Sequence, residues 1–217
     1  MNKIAMPLRV LGAIALVLLM TACQGVDDKP LQPEVVKPEP VAAESAPTQA
    51  PPKPVDPAES MYKLAMWSAK AGKLEDAIDQ FSQVVDINPA YKNAYTNLGL
   101  LLLQNGDFHA ARDALQSAIE QDNSDAIAYN HLAIVQRNAG DFQQALQNYR
   151  KAIEANPDYA NAHLNLGILL DIYIQDLPGA LQHYETFLQL TGGNNEQIDK
   201  WVIDIKRRIE KLDNNKG

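Results

Sequence analysis

From residue 58 onward, apolar residues recur three and four positions apart, and the whole pattern returns every 34 residues. The tract EDAIDQFSQVVDINPAY, which ends at Tyr91, matches QQALQNYRKAIEANPDY, which ends at Tyr159. The tract NAYTNLGLLLLQNGDF, from Asn93, matches NAHLNLGILL, from Asn161. Spacing of three and four residues is typical of amphipathic α-helices. The sequence therefore predicts a series of repeated helical units.

Each unit is predicted to hold two antiparallel helices joined by a tight turn. One register of every first helix holds a leucine followed by a small residue, and one register of every second helix holds an alanine with a bulky residue one turn later. The leucines are Leu64, Leu98, Leu132 and Leu166, the alanines are Ala77, Ala111, Ala145 and Ala180, and the bulky residues are Phe81, Leu115, Tyr149 and Tyr184. Gly72, Gly106 and Gly140 are predicted to end first helices, where a left-handed residue is favoured. Because such a pair is apolar on both sides, successive pairs must stack.

This repeat resembles the tetratricopeptide repeat, and the resemblance extends over residues 58–193. It implies an all-α fold, a superhelical solenoid of four helix-turn-helix repeats. The repeats are predicted at residues 58–91, 92–125, 126–159 and 160–193. The fourth repeat departs from the pattern, since it has one extra residue before Asp176 and no turn glycine.

Residues 194–217 are predicted to form an amphipathic helix and a short tail. The apolar residues at helical spacing are Ile198, Trp201, Val202, Ile205, Ile209 and Leu212. A solenoid needs its last apolar face covered, so we expect this helix to cap the fourth repeat. The alternative is a basic amphipathic helix that lies on a membrane or on an acidic partner.

The first 22 residues are predicted to be a secretory signal peptide, because a basic segment with Lys3 and Arg9 precedes a short apolar run at residues 10–20. That run, at ~16 Å, is about half as long as a membrane core of ~30 Å. It ends at Cys23 in the tract MTAC, which resembles a bacterial lipobox. The resemblance implies that Cys23 is acylated and that the protein is anchored by several acyl chains. Gln24 stands where an aspartate would imply inner-membrane retention, so we expect the outer membrane, on its periplasmic side.

The alternative for this cysteine is an incidental thiol in an ordinary signal peptide or an uncleaved anchor. After it, residues 23–57 are predicted to be a disordered tether, because they hold nine of the thirteen prolines and no aromatic residue. Binding of the proline-rich tract to an aromatic groove is a second interpretation. The formal net charge of −8 argues against general binding of nucleic acid.

No catalytic or metal-binding pattern stands out in the chain. The four histidines, His109, His131, His163 and His183, form no pair at helical metal spacing, and there is no HExxH, GxSxG or glycine-rich phosphate loop. The sequence therefore predicts a protein that is not an enzyme and has no cofactor. An enzyme or small-ligand carrier is the alternative from another class, and it needs a closed pocket.

In the tetratricopeptide family the first helices line a concave groove where peptides or partner helices lie. The resemblance places Lys63, Asn97, His131 and Asn165 at one register of that groove, Met66, Leu100, Ile134 and Ile168 three residues later, and Arg137 further along. Amide and imidazole groups donate and accept hydrogen bonds, so the first row suits an extended peptide. Only Asn97 remains of the family's carboxylate clamp, so we do not expect a ligand held by its C-terminal carboxylate.

These expectations combine into one functional hypothesis. The chain resembles repeat lipoproteins that assist assembly of type IV pilus secretins or act as adaptors for cell-wall enzymes. That resemblance implies a non-enzymatic scaffold on the outer membrane, whose protein or peptide partners belong to a complex of the cell envelope. The alternative is a structural lipoprotein that assembles with itself as a homodimer.

Overall fold

The computed structural model describes residues 55–215. The predicted signal peptide, Cys23 and the tether up to residue 54 lie outside the described residues. Regular structure within the described part is helical: α1 (Pro57–Lys70), α2 (Leu74–Ile87), α3 (Ala94–Asn105), α4 (Phe108–Gln121), α5 (Ala126–Ala139), α6 (Phe142–Ala155), α7 (Ala160–Ile168) with a π-helical turn (Leu169–Ile174), α8 (Leu177–Leu190) and α9 (Glu196–Asn214). None of these helices combines the length and the apolar character needed to cross a bilayer.

The predicted architecture is confirmed: four antiparallel helix pairs stack in chain order, and α9 follows them. Glycine ends the first helix of the second and third pairs as expected, with Gly106 at φ 84° and Gly140 at φ 86°. An aspartate precedes the second helix of the second, third and fourth pairs, and Asp107 among them accepts a hydrogen bond from the amide of Ala110 at 3.0 Å. These caps satisfy backbone groups that a short helix leaves without partners.

Close approach between paired helices depends on the small residues of the first helices. A Cβ atom at Gly99 would lie 2.6 Å from Cγ of Leu115, and one at Gly167 would lie 2.7 Å from the ring of Tyr184. Neither distance is tolerated by carbon atoms in contact. The glycines therefore set how deeply these bulky side chains enter the interface between paired helices.

The leucine register behaves differently at the start of the solenoid. Leu98, Leu132 and Leu166 are buried between successive pairs, as predicted, but Leu64 is 45% exposed. In the later pairs this register faces the preceding helix pair. No described pair precedes α1, so Leu64 has no such neighbour among the described residues although it shares the register of the other three leucines.

The extra residue of the fourth repeat is absorbed by the π-helical turn at the end of α7. The turn closes at Gln175, which takes a left-handed conformation with φ 63°, and the amide of Asp176 bonds to the carbonyl of Leu170 at 2.9 Å. A wider turn accommodates one residue without shifting the residues on either side. Leu166 and Leu177 therefore both stay buried in one cluster.

Helix α9 caps the fourth pair, as the amphipathic pattern predicts. Ile198, Val202 and Ile205 are buried in the same cluster as Tyr184 and Phe187. The polar side of α9 carries equal numbers of basic and acidic residues: Lys200, Lys206, Arg207, Arg208 and Lys211 against Glu196, Asp199, Asp204, Glu210 and Asp213. This balance removes the electrostatic basis for the alternative of a basic, membrane-bound helix.

Two isoleucines of α9 test the capping role as a matched pair. Ile205 is 1% exposed and Ile203 is 59% exposed. We expect Ile205→Ala to lower the free energy of unfolding by about 2–4 kcal/mol, because it leaves a cavity under the cap. Ile203→Ala should change it by less than about 0.5 kcal/mol. Urea unfolding followed by circular dichroism measures both, and equal effects would contradict the capping role.

Candidate protein-binding groove

The first helices of the pairs, α1, α3, α5 and α7, stand side by side and carry the residues predicted to line the groove. Helix α3 contacts α5, and α5 contacts α7. A side-chain hydrogen bond joins α1 to α3, from Nδ2 of Asn97 to the hydroxyl of Tyr62 at 2.9 Å. The predicted residues therefore lie on neighbouring helices of one surface.

An open hollow of about 330 Å³ lies on this surface between the first two pairs. Met66 and Leu100 form apolar walls, and Asn97 lies beside them. Lys70 and Gln104, one turn further along α1 and α3, form a polar end. Lys70 takes part in no ion pair within the described part of the chain, so its ammonium group is available to a partner.

The asparagines of the groove link successive pairs. Nδ2 of Asn165 donates to Oδ1 of Asn130 at 3.0 Å, and Asn97 makes the equivalent bond to Tyr62. In both cases the acceptor stands 35 residues earlier, on the preceding first helix. These amides thus hold neighbouring pairs together, and Asn97 also lines the hollow, where its side-chain oxygen can accept a hydrogen bond.

His131 stands at the same register but bonds within its own helix. Its Nδ1 lies 2.8 Å from the carbonyl oxygen of Ile127, which requires a proton on Nδ1. Burial lowers the pKa of His131, and the bond to Ile127 opposes that shift. The ring is therefore neutral near pH 7, and its Nε2 acts as an acceptor.

The remaining predicted residues lie outside the hollow. Lys63 is exposed and pairs with Glu59 at 2.6 Å. Ile134 and Ile168 are half-buried against the core of the third and fourth pairs. The structure thus gathers Met66, Asn97 and Leu100 into one hollow, and it does not bring Lys63, His131, Asn165, Ile134, Ile168 or Arg137 into it.

Arg137 lies half-buried near the end of α5. Its Nη1 is buried and has no hydrogen-bond partner among the described residues, and the same is true of the hydroxyl of Tyr149. Burial raises the pKa of Tyr149 to about 12, and the charge of Arg137 opposes that rise. The guanidinium group therefore keeps hydrogen-bonding capacity that the described chain does not use.

Sequence reasoning missed a histidine pair between α7 and α8, because His163 and His183 stand 20 residues apart on different helices. Nε2 of His163 lies 2.9 Å from the carbonyl oxygen of Pro157 and therefore carries the proton. Its Nδ1 accepts from Nδ1 of His183 at 3.0 Å. Among the described residues, no group of three or more His, Cys, Asp or Glu side chains is arranged to hold a metal ion.

Two models of repeat families match the chain. A tetratricopeptide repeat model matches residues 62–126, and a TPR repeat model matches residues 137–170. A search of curated proteins finds no match. The matched residues cover most of α1, all of α2, α3, α4, α6 and α7, and only the two ends of α5.

Solved structures share this fold. The crystal structure of MamA is 26% identical, covers 63% of this chain and 80% of its own, and has a TM-score of 0.57. Pseudomonas aeruginosa PilF is 17% identical, with 71% and 69% covered and a TM-score of 0.62. The first repeat domain of Spaghetti (RPAP3), bound to the HSP90 peptide SRMEEVD, is 20% identical, with 52% and 90% covered and a TM-score of 0.51.

The stacked helix pairs and the surface along their first helices define a helical-repeat interaction protein. Residues 62–126 and 137–170, where the two models match, are tetratricopeptide repeats. Members of this class are generally non-enzymatic scaffolds that bind protein or peptide partners.

The histidine pair predicts a pH dependence of stability. Burial lowers the pKa of His183 from 6.5 to about 4, with further lowering by the charges of His163 and Arg150 and an opposing effect of Asp176. Between about pH 6.5 and pH 4, the unfolded chain therefore binds a proton at His183 that the folded chain does not bind. The stability that this group contributes is present above that window and is lost as the pH falls through it.

His183→Gln should weaken this dependence, since glutamine does not titrate. Urea unfolding at pH 7 and at pH 4.5 measures the difference for each chain, and the difference should be smaller in the variant than in the unchanged protein. His109→Gln is the control, because the side chain of His109 is 85% exposed. An identical difference in all three chains would contradict the assignment.

Proposed function

We propose that this protein binds a segment of a partner protein along the first helices of its repeats, with one apolar side chain seated in the hollow between Met66 and Leu100. The observation that carries the proposal is this open hollow, whose apolar walls adjoin unused polar groups. An apolar anchor supplies affinity, and adjoining polar groups fix the register of a bound chain.

The chemistry of the hollow describes the segment that fits. Lys70 and Gln104 lie at one end, so a carboxylate or a carbonyl group of the segment is placed there, next to the apolar anchor. The carbonyl oxygen of Asn97 accepts a hydrogen bond from the backbone of an extended segment. A partner with an apolar residue close to an acidic one satisfies all three groups.

We also propose that the protein acts at the bacterial outer membrane, on the periplasmic side, as an acylated lipoprotein. The tract MTACQ around Cys23 and the proline-rich residues 24–57 support this location. An anchor on a long tether confines the repeats to a thin layer near the envelope, which raises their effective concentration toward partners in that layer.

Within the envelope, the proposed task is to assist assembly or positioning of a larger complex, of the pilus or secretin type or around a cell-wall enzyme. The fold that the chain shares with PilF of Pseudomonas aeruginosa and with MamA is compatible with such a task. Binding without chemistry is sufficient for such a task, since a tethered scaffold accelerates assembly by holding parts together.

Partner binding tests the groove. Leu100→Gln in the full chain should weaken capture of its partner at least about tenfold, because it places an unpaired amide in the apolar wall. Phe108→Gln is the matched control, since Phe108 is 46% exposed and does not line the hollow. Affinity capture from the native cell envelope, with quantification of each captured protein, gives the comparison. Equal capture by both variants would rule out the hollow as the binding site.

Anchoring at Cys23 has a separate test. The unchanged chain, expressed in a bacterium supplied with radioactive palmitate, should carry label and sediment with outer membranes. Cys23→Ser should lose the label and leave the membrane fraction, because no second acylation site is predicted. A serine variant that is still processed and still membrane-bound would refute the lipid anchor and would leave the groove proposal intact.

A further inference from the structure

The first helix pair leaves uncovered an apolar face that the second pair half-buries at Leu101 and that the third and fourth pairs bury. In the third and fourth pairs this face holds Val135 of α5 and Leu169 of the π-helical turn after α7, which are 1% and 0% exposed. The corresponding residue of α1 is Trp67, which is 58% exposed, and Leu64 beside it is 45% exposed. Two large apolar side chains therefore stand in solvent at the end of the described solenoid.

These side chains belong to a regular seam along α1. Ser60, Leu64, Trp67 and Ala71 follow one another at spacings of four, three and four residues, and all four are exposed. Such spacing places them in one line on the helix, which is the pattern of two helices that pack side by side. Small residues at the ends and large ones in the middle suit a partner that has the same sequence in the opposite direction.

The charges of α1 favour that antiparallel arrangement. Its first turn carries Glu59 and its last turn carries Lys70, with Lys73 just beyond. When Leu64 of one helix lies opposite Trp67 of another, Glu59 of the first falls beside Lys73 of the second. Opposite charges then meet at both ends of the seam, and the two helix dipoles oppose each other favourably.

The other end of the solenoid excludes head-to-tail stacking of copies. Helix α9 covers the fourth pair with Ile198, Val202 and Ile205, so the last apolar face is not open to the seam of another molecule. A face that pairs with its own copy forms a closed two-fold contact, which stops at two molecules.

We propose that α1 is a dimerisation helix: two copies of this chain pack their Ser60–Leu64–Trp67–Ala71 seams antiparallel, with Glu59 of each copy beside Lys73 of the other. In the free chain the ammonium group of Lys73 lies 4.9 Å from the centre of the Trp67 ring. It therefore already stands at the edge of the seam, where the partner's carboxylate arrives. The hollow between Met66 and Leu100 adjoins another side of α1, so a dimer keeps both hollows.

Sedimentation equilibrium of the full chain carrying Cys23→Ser, which lacks the predicted acylation site, measures the association. We expect a reversible dimer with a dissociation constant on the order of 10 μM, because one helix pair is a small interface. Leu64→Gln and Trp67→Gln should each weaken association at least about tenfold. Ile203→Gln is the matched control, since Ile203 is 59% exposed on α9 and should leave the dimer unchanged.

Charge exchange tests the orientation of the two helices. Glu59→Lys alone and Lys73→Glu alone should each weaken the dimer by about five- to tenfold, because each places like charges side by side. The double variant with both changes should recover most of the loss. Circular dichroism of each variant shows that the fold is intact, which matters because Glu59 also pairs with Lys63 within α1.

Three outcomes would overturn the proposal. A chain that stays monomeric up to about 200 μM, well above the expected dissociation constant, forms no dimer through the seam. The same result is expected if the chain's own N-terminal segment covers the seam. A dimer unaffected by Leu64→Gln and Trp67→Gln uses another face. A double charge variant as weak as the single ones excludes antiparallel pairing. None of these outcomes bears on partner binding in the groove, which Leu100→Gln tests separately.

Discussion

The fold depends on burial of apolar surface between successive helix pairs. Each pair places its bulky residue, Leu115 or Tyr149 for example, against the first helix of the same pair and the helices of the next, and these side chains are fully buried. No pair has a core of its own, so each is stable only beside its neighbours. The length of the stack, the need for a cap and the character of its two ends all follow from this dependence.

The polar surface is built on the same contacts. Asn97 and Asn165 bond to the preceding first helix, and Asn97 also lines the hollow, so a residue that links two pairs is part of the site. A binding surface made this way is preorganised, because its amides are already held in place before a partner arrives. It is also sensitive to any change in how two pairs stack.

Much of the fold was predictable because the repeat is local and periodic. Leucine and glycine at fixed registers, with Gly106 and Gly140 at the turns, were sufficient to predict the helix pairs and their stacking. The exposure of Leu64 was not predictable from its register, since burial depends on whether another pair precedes it. The π-helical turn at Leu169–Ile174 was missed because one added residue has several possible accommodations, and sequence periodicity does not choose among them.

The site was predictable as a surface but not as a hollow. The registers of Met66, Asn97 and Leu100 place them on neighbouring helices, yet the hollow among them depends on side-chain directions that periodicity leaves open. His163 and His183 meet because α7 and α8 are antiparallel, which distant sequence positions do not reveal.

The capping helix also limits the positions at which gene duplication can add a repeat to a protein of this kind. Ile198 and Ile205 seal the fourth pair, so a duplicated block of 34 codons appended after α8 would displace the seal and expose the surface beneath it. The same block inserted between two existing pairs would meet matching neighbours on both sides. Duplication of repeats in such a protein over evolutionary time should therefore leave its C-terminal end, α9, unchanged.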